Sequence, residues 1–195
     1  VHKNKSSPAL HFFDRAFDCA HQILSSNSPH SEKARNLLTV HSWNAGCMIL
    51  KSQNYERGWK LFEYGLQTPC HGKQRWQRSL SKPFSSSQLA LWRGESLKNK
   101  SLLLLEEQAI GDVLMFASLL HSLLIEAEQL SLFLSDRLLT IIRRAYKDEI
   151  KLGKLKIYSR SDYHSGVLSV SHFNYQSPIG SICQYRFISP HDYAP

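Results

Sequence analysis

Gln108, Gly111 and Asp112 set an amide, a residue without a side chain and a carboxylate within five positions. They follow Ser101-Leu102-Leu103-Leu104-Leu105, whose four consecutive leucines predict a strand buried on both faces. A short polar turn separates that strand from an apolar helical pattern beginning at Val113. In open α/β sheets such turns lie at the carboxyl ends of the strands, where ligands bind, so any chemistry of this chain is expected to involve these three residues.

The elements that must position them follow in order. The first helix is expected to run to about Ala127. Leu130 to Leu134 predicts a second strand, Asp136 to Tyr146 a second helix, and Leu155 to Tyr158 a third strand. Val167 to Val170 reads as one more short strand, whereas residues 174–195 show no clear period. Strand alternating with helix predicts a parallel sheet with right-handed crossovers, a Rossmann-like arrangement over residues 101–195.

Residues 1–70 have a different character. Leu10, Phe13, Phe17, Ala20 and Leu24 recur at helical spacing, and a second helix is expected from Ser31 to about Lys51. A third, from Tyr55 to Leu66, aligns Tyr55, Trp59, Phe62 and Leu66. Helical hairpins of this kind bind or position more often than they catalyse, which makes Tyr55 and Trp59 candidate partner-binding residues. Ala45-Gly46, Ile49, Gln53-Asn54-Tyr55, Gly58, Phe62 and Gly65-Leu66 resemble a tetratricopeptide repeat in their order of small, large and turn residues. Gly58 and Gly65 stand where that motif has alanines, at about 1 kcal/mol each in helix propensity.

Residues 71–100 read as a linker by composition, with Ser85-Ser86-Ser87 followed by an apolar anchor and turn, Leu91-Trp92-Arg93-Gly94-Glu95-Ser96-Leu97. Arg75, Trp76 and Arg78 favour an interdomain clasp over a stacking platform for nucleotides. The 195 residues, 42% of them hydrophobic, suffice for an ordinary core. Basic residues give a net charge of +8 but form no dense run, which argues against nucleic acid as the partner. Cys19, Cys47, Cys70 and Cys183 are too far apart for a zinc or dithiol motif, so no metal is expected and free thiols in a reducing cytoplasm are the simpler reading. No apolar run approaches the ~20 residues of a membrane span. The start, Val1-His2-Lys3-Asn4-Lys5, has neither an initiator methionine nor a signal-type apolar block, consistent with a soluble protein cut from a longer chain.

The Leu91-to-Leu97 segment, the leucine strand, Glu107-Gln108-Ala109-Ile110-Gly111-Asp112 and Phe116-Ala117 together resemble bacterial tetratricopeptide-repeat proteins that carry a glycosyltransferase-like domain. That domain is similar to the heptosyltransferase-type family 9 enzymes, which have the two-lobed GT-B fold. The family's turn has a glycine where this chain has Ala109. Asp162-Tyr163-His164 with Leu168-Ser169 also resembles a later loop of that family.

The resemblance implies an α + α/β chain: TPR-like hairpins, then the N-terminal half of a GT-B fold. Gly111 would free the backbone at the turn, and Gln108, Gly111 and His164 would face the acceptor. Asp112 would be the general base that deprotonates an acceptor hydroxyl, or else would only cap the helix. His164 likewise has a purely structural alternative.

A GT-B enzyme binds its nucleotide sugar chiefly through a second lobe, and no later glycine-rich turn is seen. The expectation is therefore an acceptor-side lobe, inactive alone and with no cofactor of its own. It would await a second lobe or a protein partner, act on a glycan or protein acceptor, and self-associate through uncovered apolar surface. The alternative is a non-catalytic interaction module with a vestigial α/β domain.

Overall fold

A computed structural model of the protein describes residues 8–26, 28–67 and 84–193. Arg75, Trp76, Arg78 and Cys70, and with them the expected clasp, lie outside the described residues. The described residues fall into two compact units, one of residues 8–67 with 187–193 and one of residues 84–186.

The first unit is helical. Helix α1 (Pro8–Ser25), α2 (Ser31–Lys51) and α3 (Tyr55–Phe62) follow the apolar spacing of the sequence, and a tighter 3-10 turn over Glu63–Leu66 extends α3. Ala20, Ala34 and Leu38 form a buried cluster with Phe17, Ile23, Leu24 and Tyr64 packed against it. The buried stripe of α2 consists of Ala34, Leu38, Ser42, Gly46 and Ile49, while Leu37 turns outward. Small residues in that stripe let α3 approach: a Cβ at Gly46 would sit 2.7 Å from the Phe62 nitrogen and 2.8 Å from the Gly58 oxygen. A Cβ at Gly58 would meet the Leu50 side chain at 2.7 Å. Gly46 therefore gives up helix propensity for a backbone contact that alanine would not fit, whereas at Gly58 the Leu50 side chain would have to shift.

The second unit is α/β. Strands β1 (Ser101–Leu105), β2 (Gln129–Leu134), β3 (Leu155–Ser159) and β4 (Tyr175–Pro178) make a parallel sheet in the order β3-β2-β1-β4. Leu102 to Leu105 are all fully buried, as expected for a central strand covered on both faces. One face carries Leu103, Leu105 and Phe133 against Leu89 and Leu168, with Phe84, Tyr158, Val170 and Phe173 packed around them.

The single helix expected up to Ala127 is two. Helix α4 (Ile110–Ala117) starts three residues earlier than the apolar pattern, and α5 (His121–Glu126) follows a break. At the break the N–H groups of Leu119 and Leu120 donate to carbonyls three residues back, and the Ser118 hydroxyl takes the Met115 carbonyl at 2.6 Å. Such local bonds compete with helix continuation. Helices α6 (Asp136–Ala145) and α7 (Lys147–Lys151) lead into β3, and the short α8 (Arg160–His164) leaves it.

The fourth strand is not Val167–Val170, which runs into a 3-10 turn at Val170–His172. It is Tyr175–Pro178, within the stretch that shows no period. Its polar residues are buried because they are satisfied: the Gln176 side chain accepts from Phe84 N at 2.8 Å and donates to the Phe84 and Leu89 carbonyls, both at 2.7 Å.

The anchor residues Trp92 and Leu97 are buried in this unit. The Trp92 ring lies under the Arg186 guanidinium at 4.9 Å and edge-on to Tyr185 of helix α9 (Cys183–Arg186). Arg186 also pairs with Glu126 at 3.0 Å. Burial works against the Glu126 charge, but the Leu97 N–H and Arg186 hold its carboxyl below the usual range. No helix of the described residues is long and apolar enough to cross a membrane.

Candidate functional site

The sheet order reverses between β1 and β4, so the crevice outside the carboxyl ends of these strands is a topological switch point, where ligands of open α/β sheets bind. The turn after β1 supplies Glu106, Glu107, Gln108 and Ala109, and α4 begins at Ile110. Two acids directly after a buried strand are the main surprise. Glu106 is 1% and Glu107 0% exposed. Glu106 accepts from the Ser135 N–H and, at 3.1 Å, from the Ser135 hydroxyl, at the position that caps α6. Glu107 accepts from the Gly180 N–H at 2.6 Å, in the 3-10 turn Ile179–Ile182 that follows β4. Backbone donors that open helical turns are the groups a phosphate would use, and here the chain's own carboxyls occupy them.

Gln108 is buried, with φ +58°. It is thus the residue in the left-handed region, and the expectation that Gly111 frees the backbone is corrected. Gly111 lies inside α4, and a Cβ built there would meet nothing within 4 Å. The space beside Gly111 in the first turn of α4 is open, while the sharp bend is made by a residue for which this conformation is strained.

Asp112 is the third residue of α4, and its Oδ2 accepts from the Ala109 N–H at 3.0 Å. This is one arm of a capping box. The other arm is missing, because Ala109, extended at φ −114°, has no side-chain acceptor to return the bond. The turn after β3 has both arms. Ser159 Oγ accepts from the Asp162 N–H at 3.2 Å, and Asp162 Oδ2 accepts from the Ser159 N–H at 2.6 Å and hydroxyl at 2.7 Å. These bonds hold the Asp162 carboxyl below its usual range against the cost of burial, with Arg143 contributing least.

His164 ends α8 and is exposed, its ring 5.8 Å from Tyr163. Because β2 separates β3 from β1, α8 starts about 10 Å across the sheet from the Asp112 turn. No hydrogen bond joins His164 to Asp112 among the described residues. The structure therefore brings Gln108, Gly111 and Asp112 together and leaves His164 apart.

Tyr55 and Trp59 belong to the helical unit, where Tyr55 is half-buried and Trp59 is buried. Trp59 Nε1 donates to Tyr193 Oη at 2.8 Å, that hydroxyl donates to the Phe187 carbonyl at 3.2 Å, and the Tyr193 ring packs on Tyr55 at 4.9 Å. With 7% of its surface exposed, Trp59 is a packing residue of this unit in the observed conformation.

Glu106, Glu107, Ser135 and the Ser159–Asp162 box were missed as site components. The adjacent acids were the available signal, but burial of charge is what composition argues against. No group of three or more His, Cys, Asp or Glu among the described residues is arranged to hold a metal ion. No protein-family model, curated protein or solved structure matches the chain.

Proposed function

We propose that the chain is the acceptor-side, Rossmann-like lobe of a GT-B glycosyltransferase-like protein, inactive alone and preceded by a TPR-like hairpin. One observation carries this reading: at the switch point the Gly180 N–H that opens a helical turn is taken by Glu107, while Asp112 stands in the first turn of α4 beside the open space at Gly111. With the Gly180 N–H engaged by Glu107, the crevice keeps the first turn of α4 beside the Asp112 carboxyl, a setting that suits a neutral hydroxyl compound better than a nucleotide diphosphate.

In the complete reaction Asp112 takes the proton of the acceptor hydroxyl as its oxygen bonds the anomeric carbon. The bond from that carbon to the nucleoside diphosphate breaks, and the diphosphate leaves with the bonding electrons. Gln108 and the first N–H groups of α4 orient the acceptor, and a second lobe holds the donor. His164 has no part in this step, because β2 stands between its strand and that of Asp112.

The test is a calorimetric titration of the whole chain with a panel of nucleotide sugars and, separately, of neutral oligosaccharides. The expected result is silence with every donor and no release of free nucleotide, with saturable binding of an oligosaccharide that Asp112→Asn weakens. Saturable donor binding with hydrolysis would contradict the reading.

A second reading is favoured by the Asp112–Ala109 bond, which gives the carboxylate a structural duty, and by Glu106 and Glu107 filling the crevice. It is a non-catalytic interaction module with a vestigial α/β domain. It predicts no response to donors or oligosaccharides.

A further inference from the structure

The sheet ends at β3 beside α6 and α7, and these three elements enclose a groove of about 480 Å³. That lies within the range of about 300–1,000 Å³ typical of small-molecule sites. Ile150, Ile157 and Tyr158, each half-buried, give it an apolar lining, and the exposed Arg143, Lys147 and Lys156 stand around it. None of these three cations makes an ion pair or hydrogen bond among the described residues.

Uncompensated charge is concentrated here. Residues 143–160 carry seven basic and two acidic side chains, a net +5 out of the chain's +8, and neither acid, Asp148 or Glu149, lines the groove. Asp162, at the end of β3, is already held by the Ser159 N–H and hydroxyl. The sheet edge adds a neutral donor. The Leu130 N–H bonds the Lys154 carbonyl at 3.2 Å, so in the parallel register Leu130↔Leu155 the Ile157 N–H points away from β2.

We infer that this groove binds an amphiphile with a terminal phosphate, an alkyl phosphomonoester. Its dianion sits between Arg143, Lys147 and Lys156, and its hydrocarbon body lies on Ile150, Ile157 and Tyr158. Three cations with no carboxylate among them favour a dianion over a single carboxylate, and the planar guanidinium of Arg143 matches two phosphate oxygens. Inorganic phosphate would leave most of the groove and its apolar lining unused. A nucleotide sugar carries its diphosphate between two polar bodies and brings no apolar part, so the silence expected with donors is unaffected. A nucleic acid would meet the charge but not the lining. A free phosphomonoester and a lipid headgroup present the same chemistry. This site is independent of the Asp112 turn and of the function proposed for it.

The test titrates the full chain, by calorimetry, with octyl phosphate below its micelle concentration. Saturable one-site binding is expected, at least about tenfold weaker in Lys147→Gln/Lys156→Gln, two exposed changes that leave the core untouched. Ethyl phosphate keeps the charge but loses most of the methylenes, and should also bind at least about tenfold more weakly. In the NMR spectrum the Ile157 amide signal should shift on binding while that of Ala109 stays. Vesicles of phosphatidylcholine with phosphatidic acid separate the two sources. Co-sedimentation that octyl phosphate competes away assigns the groove to a lipid headgroup, and vesicles left unbound while octyl phosphate binds assign it to a free phosphomonoester. Silence with octyl phosphate would overturn the proposal, as would equal binding of ethyl phosphate or full affinity in the double variant. Tighter binding of a single-stranded oligonucleotide that the double variant abolishes would overturn it as well.

Discussion

The turns after β1 and β3 open helices at the same end of one sheet, and each places an aspartate three residues after its cap position. They differ in the cap itself. Ser159 returns the bond of Asp162, whereas Ala109 offers Asp112 nothing but its N–H. The first aspartate is fixed by two donors and kept ionised to low pH, which makes it a weak base and a strong structural clamp. The second is held by one donor, beside the open space at Gly111. Equal residues at equal spacing can thus divide into a clamp and an available carboxylate through one hydroxyl.

Substitutions at four positions break or sharpen this contrast. The largest effect is expected at the base of the β1 turn: Glu107→Ala leaves the Gly180 N–H buried without its acceptor and should cost about 3 kcal/mol in denaturant unfolding. At the bend itself, Gln108→Val puts a branched side chain at φ +58° and should cost about 2 kcal/mol, while Gln108→Gly should cost less.

In the β3 turn, Ser159→Ala removes the cap and should cost about 1 kcal/mol. Because folding lowers the Asp162 pKa, that carboxylate contributes stability above the ordinary aspartate range near pH 4, and the contribution is lost as pH falls through the lowered value. Ser159→Ala should therefore flatten acid unfolding below pH about 4. The smallest effect on stability is expected at Asp112→Asn, where the amide oxygen still accepts from Ala109; unfolding should shift by less than about 0.5 kcal/mol while oligosaccharide binding weakens.

Much of this frame was legible in the residues. Four leucines marked a covered strand, helical spacing marked α1, α2 and α6 within a residue or two, and the third helix expected to Leu66 ends at Phe62 and continues as a 3-10 turn. Strand β4 was hidden because Gln176 and Ser177 are polar, and the bonds that permit their burial come from residues some ninety positions away. The pair Glu106 and Glu107 was hidden for the same reason. Backbone freedom at the turn was assigned to Gly111 because glycine has it, but the positive φ lies at Gln108, whose side chain is buried. Local preference loses there to tertiary packing.

The most direct measurement is a carbon-detected NMR titration of the whole chain, following the Asp112 and Asp162 carboxyl signals as a neutral oligosaccharide acceptor is added. Movement of Asp112 with Asp162 stationary is the predicted result. Movement of Asp162, or silence of both while the oligosaccharide binds elsewhere, would contradict the division of the two turns into a clamp and a site.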